Sequence, residues 1–172
     1  TNGNGTYHIG GNWTNTTGTY IPGTSTVIFE GLGNQSITRT GGETFYNLTF
    51  NNSGTPNTIT ADNTITIDGA ATFTAGQLNS AFDINFNGTT IGGSGSINAT
   101  AGTVTYSNTA TNILPGTYYN LTLTGTSVKA LYGDITVLNN LTISAGILQL
   151  ADKNISVTGT SSISGTIADN NS

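Results

Sequence analysis

Phe45-Tyr46-Asn47-Leu48-Thr49-Phe50 recurs 73 residues later as Tyr118-Tyr119-Asn120-Leu121-Thr122-Leu123. Apolar side chains alternate with Asn and Thr in both, the pattern of a strand with one covered and one wet face. The match extends outward in both directions. Thr26-Val27-Ile28-Phe29 returns as Thr103-Val104-Thr105-Tyr106 at an offset of 77, and Ile65-Thr66-Ile67 as Ile135-Thr136-Val137 at 70. Ala75-Gly76 returns as Ala145-Gly146 at 70, and Ile84-Asn85-Phe86-Asn87-Gly88 as Ile155-Ser156-Val157-Thr158-Gly159 at 71. Collinear matches with so small a drift point to a duplication with short insertions in loops. The chain then divides into an entry segment, 1–23, a first copy, 24–100, and a second copy, 101–172, within one domain.

A shorter period runs inside each copy. Apolar centres at Val27, Leu48, Ile65, Ile84, Val104, Leu121, Ile135 and Ile155 lie 14 to 21 residues apart, with a second series such as Ile37, Ile59 and Phe73 between them. Gly, Asn, Asp or Ser bounds each run, so the elements are short strands joined by turns. Such strands suit a parallel β-helix, in which each coil stacks on the one before, or an antiparallel sandwich or jelly roll. The repeat favours the β-helix, because residues one turn apart then stack in register. Eight or nine coils about 4.8 Å apart make a rod on the order of 40 Å long. Alternation counted from the two leucines predicts Tyr46, Leu48, Phe50, Tyr119, Leu121 and Leu123 inside. It puts Asn47, Thr49, Asn120 and Thr122 outside, and leaves Phe45 and Tyr118 facing outward.

Composition agrees with an all-β chain. Only 6% of residues are charged, against about 25% in ordinary soluble domains. Leu, Ile, Val and Phe account for 39 of 172 residues, just above the level at which chains stay unfolded, and a net charge of −5 is too small for the disorder signature. Glu, Lys, Arg and Met are scarce or absent, which removes the strong helix formers. With no Cys there is neither a disulfide framework nor a thiolate metal site. No apolar stretch approaches the ~18 residues of a membrane span. Three basic residues, Arg39, Lys129 and Lys153, argue against nucleic acid and anionic lipid as partners. The start at Thr1, without an apolar leader, is read as a processed or excised piece of an exported precursor.

Gly11-Asn12-Trp13-Thr14-Asn15, Thr19-Tyr20-Ile21-Pro22-Gly23-Thr24, Gln35-Ser36-Ile37-Thr38, the Phe45 to Phe50 run and the strand–turn pairs ending in Ala75-Gly76 and Ala145-Gly146 form a pattern. It resembles the repeats of very large secreted bacterial surface proteins of haemagglutinin or adhesin type. The resemblance covers nearly the whole chain and implies a β-solenoid at the cell surface. The second copy lacks the Asn-Trp-Thr-Asn entry, and no catalytic residue comes with the resemblance.

Chemistry-bearing residues are few. His8 is the only histidine, and no Gly-x-Ser-x-Gly elbow accompanies it; Gly92-Gly93-Ser94-Gly95-Ser96 reads as a loop. Glu30, Glu43, Asp62, Asp68, Asp83, Asp134, Asp152 and Asp169 are scattered, and Asp62 and Asp134 stand before strands, where Asp makes turns. Asp, Asn and backbone carbonyls are ligand types for a structural Ca²⁺, but neither the nonapeptide repeat nor the EF-hand pattern is present. No cofactor is expected. Lys129 and Lys153 lack a paired acid that would suit a cross-link to Asn. Sequons at Asn12, Asn34, Asn47, Asn87, Asn120 and Asn154 arise easily in a chain so rich in Asn and Thr. Trp13, with Phe45 and Tyr118, is a candidate for stacking on sugars or on a neighbouring subunit, or for capping the core.

The expected function is structural and non-catalytic: a segment of an extracellular filament or cell-surface fibre. Open sheet edges recruit further strands, so the partner is another copy, or flanking repeats of the same polypeptide. An adhesive surface for glycans or another cell is the alternative. Outward Thr rows facing ice come third, because their alternation looks irregular from coil to coil.

Overall fold

The structure is a computed structural model that describes residues 3–54, 57–107 and 109–169. It is an all-β solenoid of about eight coils, with no helix and only parallel strand pairing among the described residues. Parallel neighbours one coil apart rule out the antiparallel sandwich. A coil takes 17 to 24 residues, as in Val104↔Leu121 and Trp13↔Ile37.

Each coil has three sides. The first face stacks Thr6–Ile9, Thr26–Phe29, Asn47–Asn51, Ala71–Ala75 and Ile91–Gly93. A separate four-stranded sheet, Asn112–Ile113, Val128–Leu131, Ile147–Gln149 and Thr166–Ala168, follows it, joined where the Asn112 amide donates to the Ile91 carbonyl at 2.9 Å. The second face runs from Trp13–Thr14 through Gln35–Thr38, Thr58–Ala61, Gln77–Ser80 and Ser96–Ala99. The third runs from Glu43–Phe45 through Ile65–Ile67, Ile84–Phe86 and Thr103–Tyr106. Gly116–Leu123 and Ile135–Ile143 then turn the corner without a break. Each supplies a rung to both faces, and Ile155–Val157 and Thr160–Ile163 close the stack.

Direct register makes the core a set of side-chain columns. Val27, Leu48, Ala71 and Ile91 stack on the first face. Ile65, Ile84, Val104, Leu121 and Leu141 stack on the third. An aromatic file climbs the interior from Phe29 through Phe50, Phe73, Phe86 and Tyr106 to Tyr118, with ring centroids 4.6 to 6.4 Å apart. Each fully buried ring or aliphatic chain contributes about 1.5–3 kcal/mol, so a narrow core suffices when every coil repeats it.

Two sequence expectations need correction. Phe45 and Tyr118 are not outward-facing: both are 0% exposed. Their neighbours Tyr46 and Tyr119 lie at the prism's edges, Tyr46 half-buried and Tyr119 exposed, so neither is a core residue. Leu48, Phe50, Leu121 and Leu123 are inside as expected. The reason is the corner. A residue spent on the bend shifts the alternation by one, so the inward positions run Phe45, Leu48, Phe50 rather than Tyr46, Leu48, Phe50. The second correction concerns the repeat. Leu48 lies on the first face and Leu121 on the third, eleven strand positions further on at three per coil, or three and two-thirds coils. The Val27/Val104, Ile65/Ile135 and Ile84/Ile155 pairs show the same eleven-step shift. The matching unit is therefore a single side with its corner, and the second copy is rotated by one side relative to the first.

Candidate functional site

The first coil departs from the others on its third side. Where later coils place a strand, residues 15–25 form a loop containing Gly18 and Pro22. Asn15 N–H reaches the Thr38 carbonyl at 2.9 Å, and the Arg39 guanidinium donates to the Gly18 carbonyl. The loop carries Tyr20 over the end of the core. There Trp13 meets Tyr20 edge-on at 4.9 Å and Phe45 at 5.4 Å, and Tyr7 meets Tyr20 at 6.2 Å. Trp13 and Tyr20 thus close as a plug over the buried Phe45 at the N-terminal end of the solenoid, with Tyr7 beside Tyr20, which is the capping role open to Trp13 from sequence. Beneath them the nearly buried Glu43 carboxylate accepts from Trp13 Nε1 at 3.0 Å and Asn15 Nδ2 at 2.8 Å. Tyr20 Oη lies 2.6 Å from Ser25 Oγ, and burial raises its pKa. Outside the plug, the same segment lines a concavity of about 400 Å³ that includes Trp13, Tyr20, Asn12, Asn15, Thr14 and Thr19.

The C-terminal end is built differently. Ile155–Val157, Thr160–Ile163 and Thr166–Ala168 pair only with the coil before them among the described residues. Inward positions there are uncovered: Ile163 is 45% and Ile167 38% exposed, with Ile155 and Val157 half-buried. The outermost terminal residues, 1–2 and 170–172, lie outside the described residues.

The remaining candidates resolve into stitching between coils. His8 sits exposed on the first strand, 3.1 Å from Glu30. Asp83 and Asp134 accept the backbone N–H groups of Thr103 and Asn154, each at 2.8 Å and one coil on, whereas Asp62 accepts the Thr38 hydroxyl. The sequon asparagines are also engaged: Asn12 and Asn34 accept Ser36 and Thr58 N–H, Asn47 accepts Ala70 N–H, and Asn87 donates to Asp68. Asn120 donates to the Gly102 carbonyl and Asn154 to Asp134. No cluster of three or more metal-ligating side chains occurs among the described residues. The outward row Thr44, Thr66, Asn85, Thr105, Thr122, Thr142, Ser162 is in direct register through seven coils, more regular than the sequence suggested.

Buried polar groups went unnoticed in the sequence. Gln35 binds Gly31 N–H through Oε1 and the Ile9 and Gly11 carbonyls through Nε2, and Asn52 donates to Gln35 and Gly33. Lys129, 2% exposed, gives its ammonium to the Thr124 carbonyl and Ser127 hydroxyl at 2.8 Å, and desolvation lowers its pKa. Their signal was phase: Gln35 falls in step with Ile37, and Lys129 with Leu131, so alternation points both inward.

Comparison with known proteins finds no matching family model, no matching curated protein and no matching solved structure.

Proposed function

We propose that the chain is a structural, non-catalytic segment of an extracellular filament or cell-surface fibre, extended end to end by backbone β-pairing. The observation that carries this reading is the last coil, whose three parallel edges have no partner among the described residues and which leaves Ile163 and Ile167 bare at the end of the core. Monomeric β proteins usually blunt such edges with charge, Pro or a covering loop. The three strands of this coil carry no charge and no Pro; Asp152 and Lys153 stand in the turn before Ile155, and Asp169 follows Ala168. The first strand, Thr6–Ile9, and the last, Thr166–Ala168, lie on the same side of the prism. A second copy adding its Thr6–Ile9 beside Thr166–Ala168 extends that side by one more parallel rung and covers Ile167. A head-to-tail contact of this kind does not close on itself, so it makes a filament.

Sedimentation velocity and electron microscopy of the purified 172-residue chain test the reading. The expected result is concentration-dependent rods that Ile163→Lys and Ile167→Lys shorten or abolish. A wild-type chain that stays monomeric at high concentration would overturn it.

A further inference from the structure

We infer that the concavity beside Trp13 is a binding site for a neutral saccharide. This goes beyond the fibre reading and stands without it. The site exists because the third side of the first coil is a loop rather than a strand. The loop leaves a hollow of about 400 Å³, within the ~300–1,000 Å³ range of small-molecule sites.

Its lining combines the two features that recognise a sugar. Trp13 and Tyr20 supply apolar ring surface, the complement of the C–H face of a pyranose. Trp13 Nε1 is committed to Glu43, so the indole offers the hollow only its apolar surface. Hydroxyl and amide groups surround the rings. Thr14 and Thr19 are exposed, and Asn12 spends its Oδ1 on Ser36 N–H, which leaves its amide N–H₂ without a partner among the described residues. Such groups both donate and accept, as a sugar's hydroxyls do. Among the described residues no charged side chain lines the hollow; the Glu43 carboxylate is spent on Trp13 and Asn15, and the Arg39 guanidinium on the Gly18 carbonyl. This argues against a sugar acid, a phosphate or a basic peptide.

The site is also held in place before any ligand arrives. Edge-on packing against Tyr20 and Phe45 and the bond to Glu43 fix the indole; the Ser25 contact fixes Tyr20; Arg39 ties down the loop at Gly18. Rigid aromatic groups lose little freedom on binding, which suits a weak, hydroxyl-rich ligand.

Trp13 is the only tryptophan, so its fluorescence reports directly on the hollow. The 172-residue chain is titrated with cellobiose, lactose, mannobiose and chitobiose, with sialyllactose as the charged comparison. Saturable quenching or shift with at least one neutral disaccharide is expected. Thr14→Arg, at an exposed position outside the core, should weaken it at least about tenfold, and Ile167→Lys at the opposite end should leave it unchanged. A response to no neutral sugar at the solubility limit, a response only to sialyllactose, or binding that survives Thr14→Arg would each overturn the assignment. Because Ile167→Lys also blocks the proposed filament contact, sugar binding and assembly can fail independently.

Discussion

Tyr106 and Tyr118 share a hydrogen-bonded circuit whose direction can be worked out from the atoms present. Tyr118 Oη donates its one proton to the Leu114 carbonyl at 2.5 Å. In the 2.9 Å contact between the two hydroxyls the donor must therefore be Tyr106, while Leu114 N–H donates to Tyr106 Oη at 3.2 Å. Tyr118→Phe leaves two buried groups without partners, the Tyr106 hydroxyl proton and the Leu114 carbonyl. Tyr106→Phe leaves one, the Leu114 N–H. At about 1–3 kcal/mol per buried orphan, Tyr118→Phe should cost about 3–4 kcal/mol and Tyr106→Phe about 2 kcal/mol. The double variant again leaves two orphans, Leu114 N–H and C=O, so it should cost about 3–4 kcal/mol, less than the sum by about one orphan. Urea unfolding followed by far-ultraviolet circular dichroism measures all four states of the cycle. Equal costs for the two single variants, or strict additivity, would refute the assigned proton direction.

Other outcomes follow from neighbouring features. Burial pushes the Tyr106 and Tyr118 pKa values well up, so their contribution is complete below the unfolded value near 10. Above it, the unfolded chain loses protons that the folded chain keeps. Stability should fall by about 1.4 kcal/mol in all for each of these tyrosines between about pH 9 and 11, read from urea midpoints, and Tyr106→Phe should remove its share of that fall. Gly116 has φ +135° and faces Ile97, where an added Cβ would lie 2.0 Å from the carbonyl oxygen. Gly116→Ala should therefore cost about 3 kcal/mol or more in urea unfolding. Ala151 holds φ +53° in the turn that Lys153 N–H closes on the Leu150 carbonyl. Ala151→Gly should stabilise by up to about 1 kcal/mol, seen as a higher urea midpoint, because it relieves left-handed strain.

Much of this architecture could be read from period alone. Alternation in Thr26–Phe29, Ile65–Ile67 and Ile84–Phe86, each bounded by turn residues, fixes a strand with one covered face wherever it lies in the rod. Corner parity was harder. At Phe45-Tyr46-Asn47 and Tyr118-Tyr119-Asn120 the chain bends without a Gly or Pro to mark the bend, so counting by twos carried straight through it. Face identity left no trace either. The three sides offer an inward-pointing Leu or Ile the same surroundings, so a duplicated segment fits any of them. Gln35, Asn52 and Lys129 escaped because an inward polar residue differs from its outward neighbours only in phase, in a chain where polar residues are the rule. The hollow at Trp13 depends on a loop standing in for a strand, which becomes visible only once the strands on either side are placed.

The stacking of one coil on the next is tested most directly by paired cysteines, since the chain has none of its own. Thr122 and Thr142 are direct register partners on the third face, whereas Thr49, the sequence counterpart of Thr122, lies on the first. Parallel neighbours about 4.8 Å apart fall within disulfide reach. Thr122→Cys with Thr142→Cys should therefore cross-link within one chain on mild oxidation, while Thr122→Cys with Thr49→Cys should not. The reverse pattern of cross-linking would contradict the solenoid.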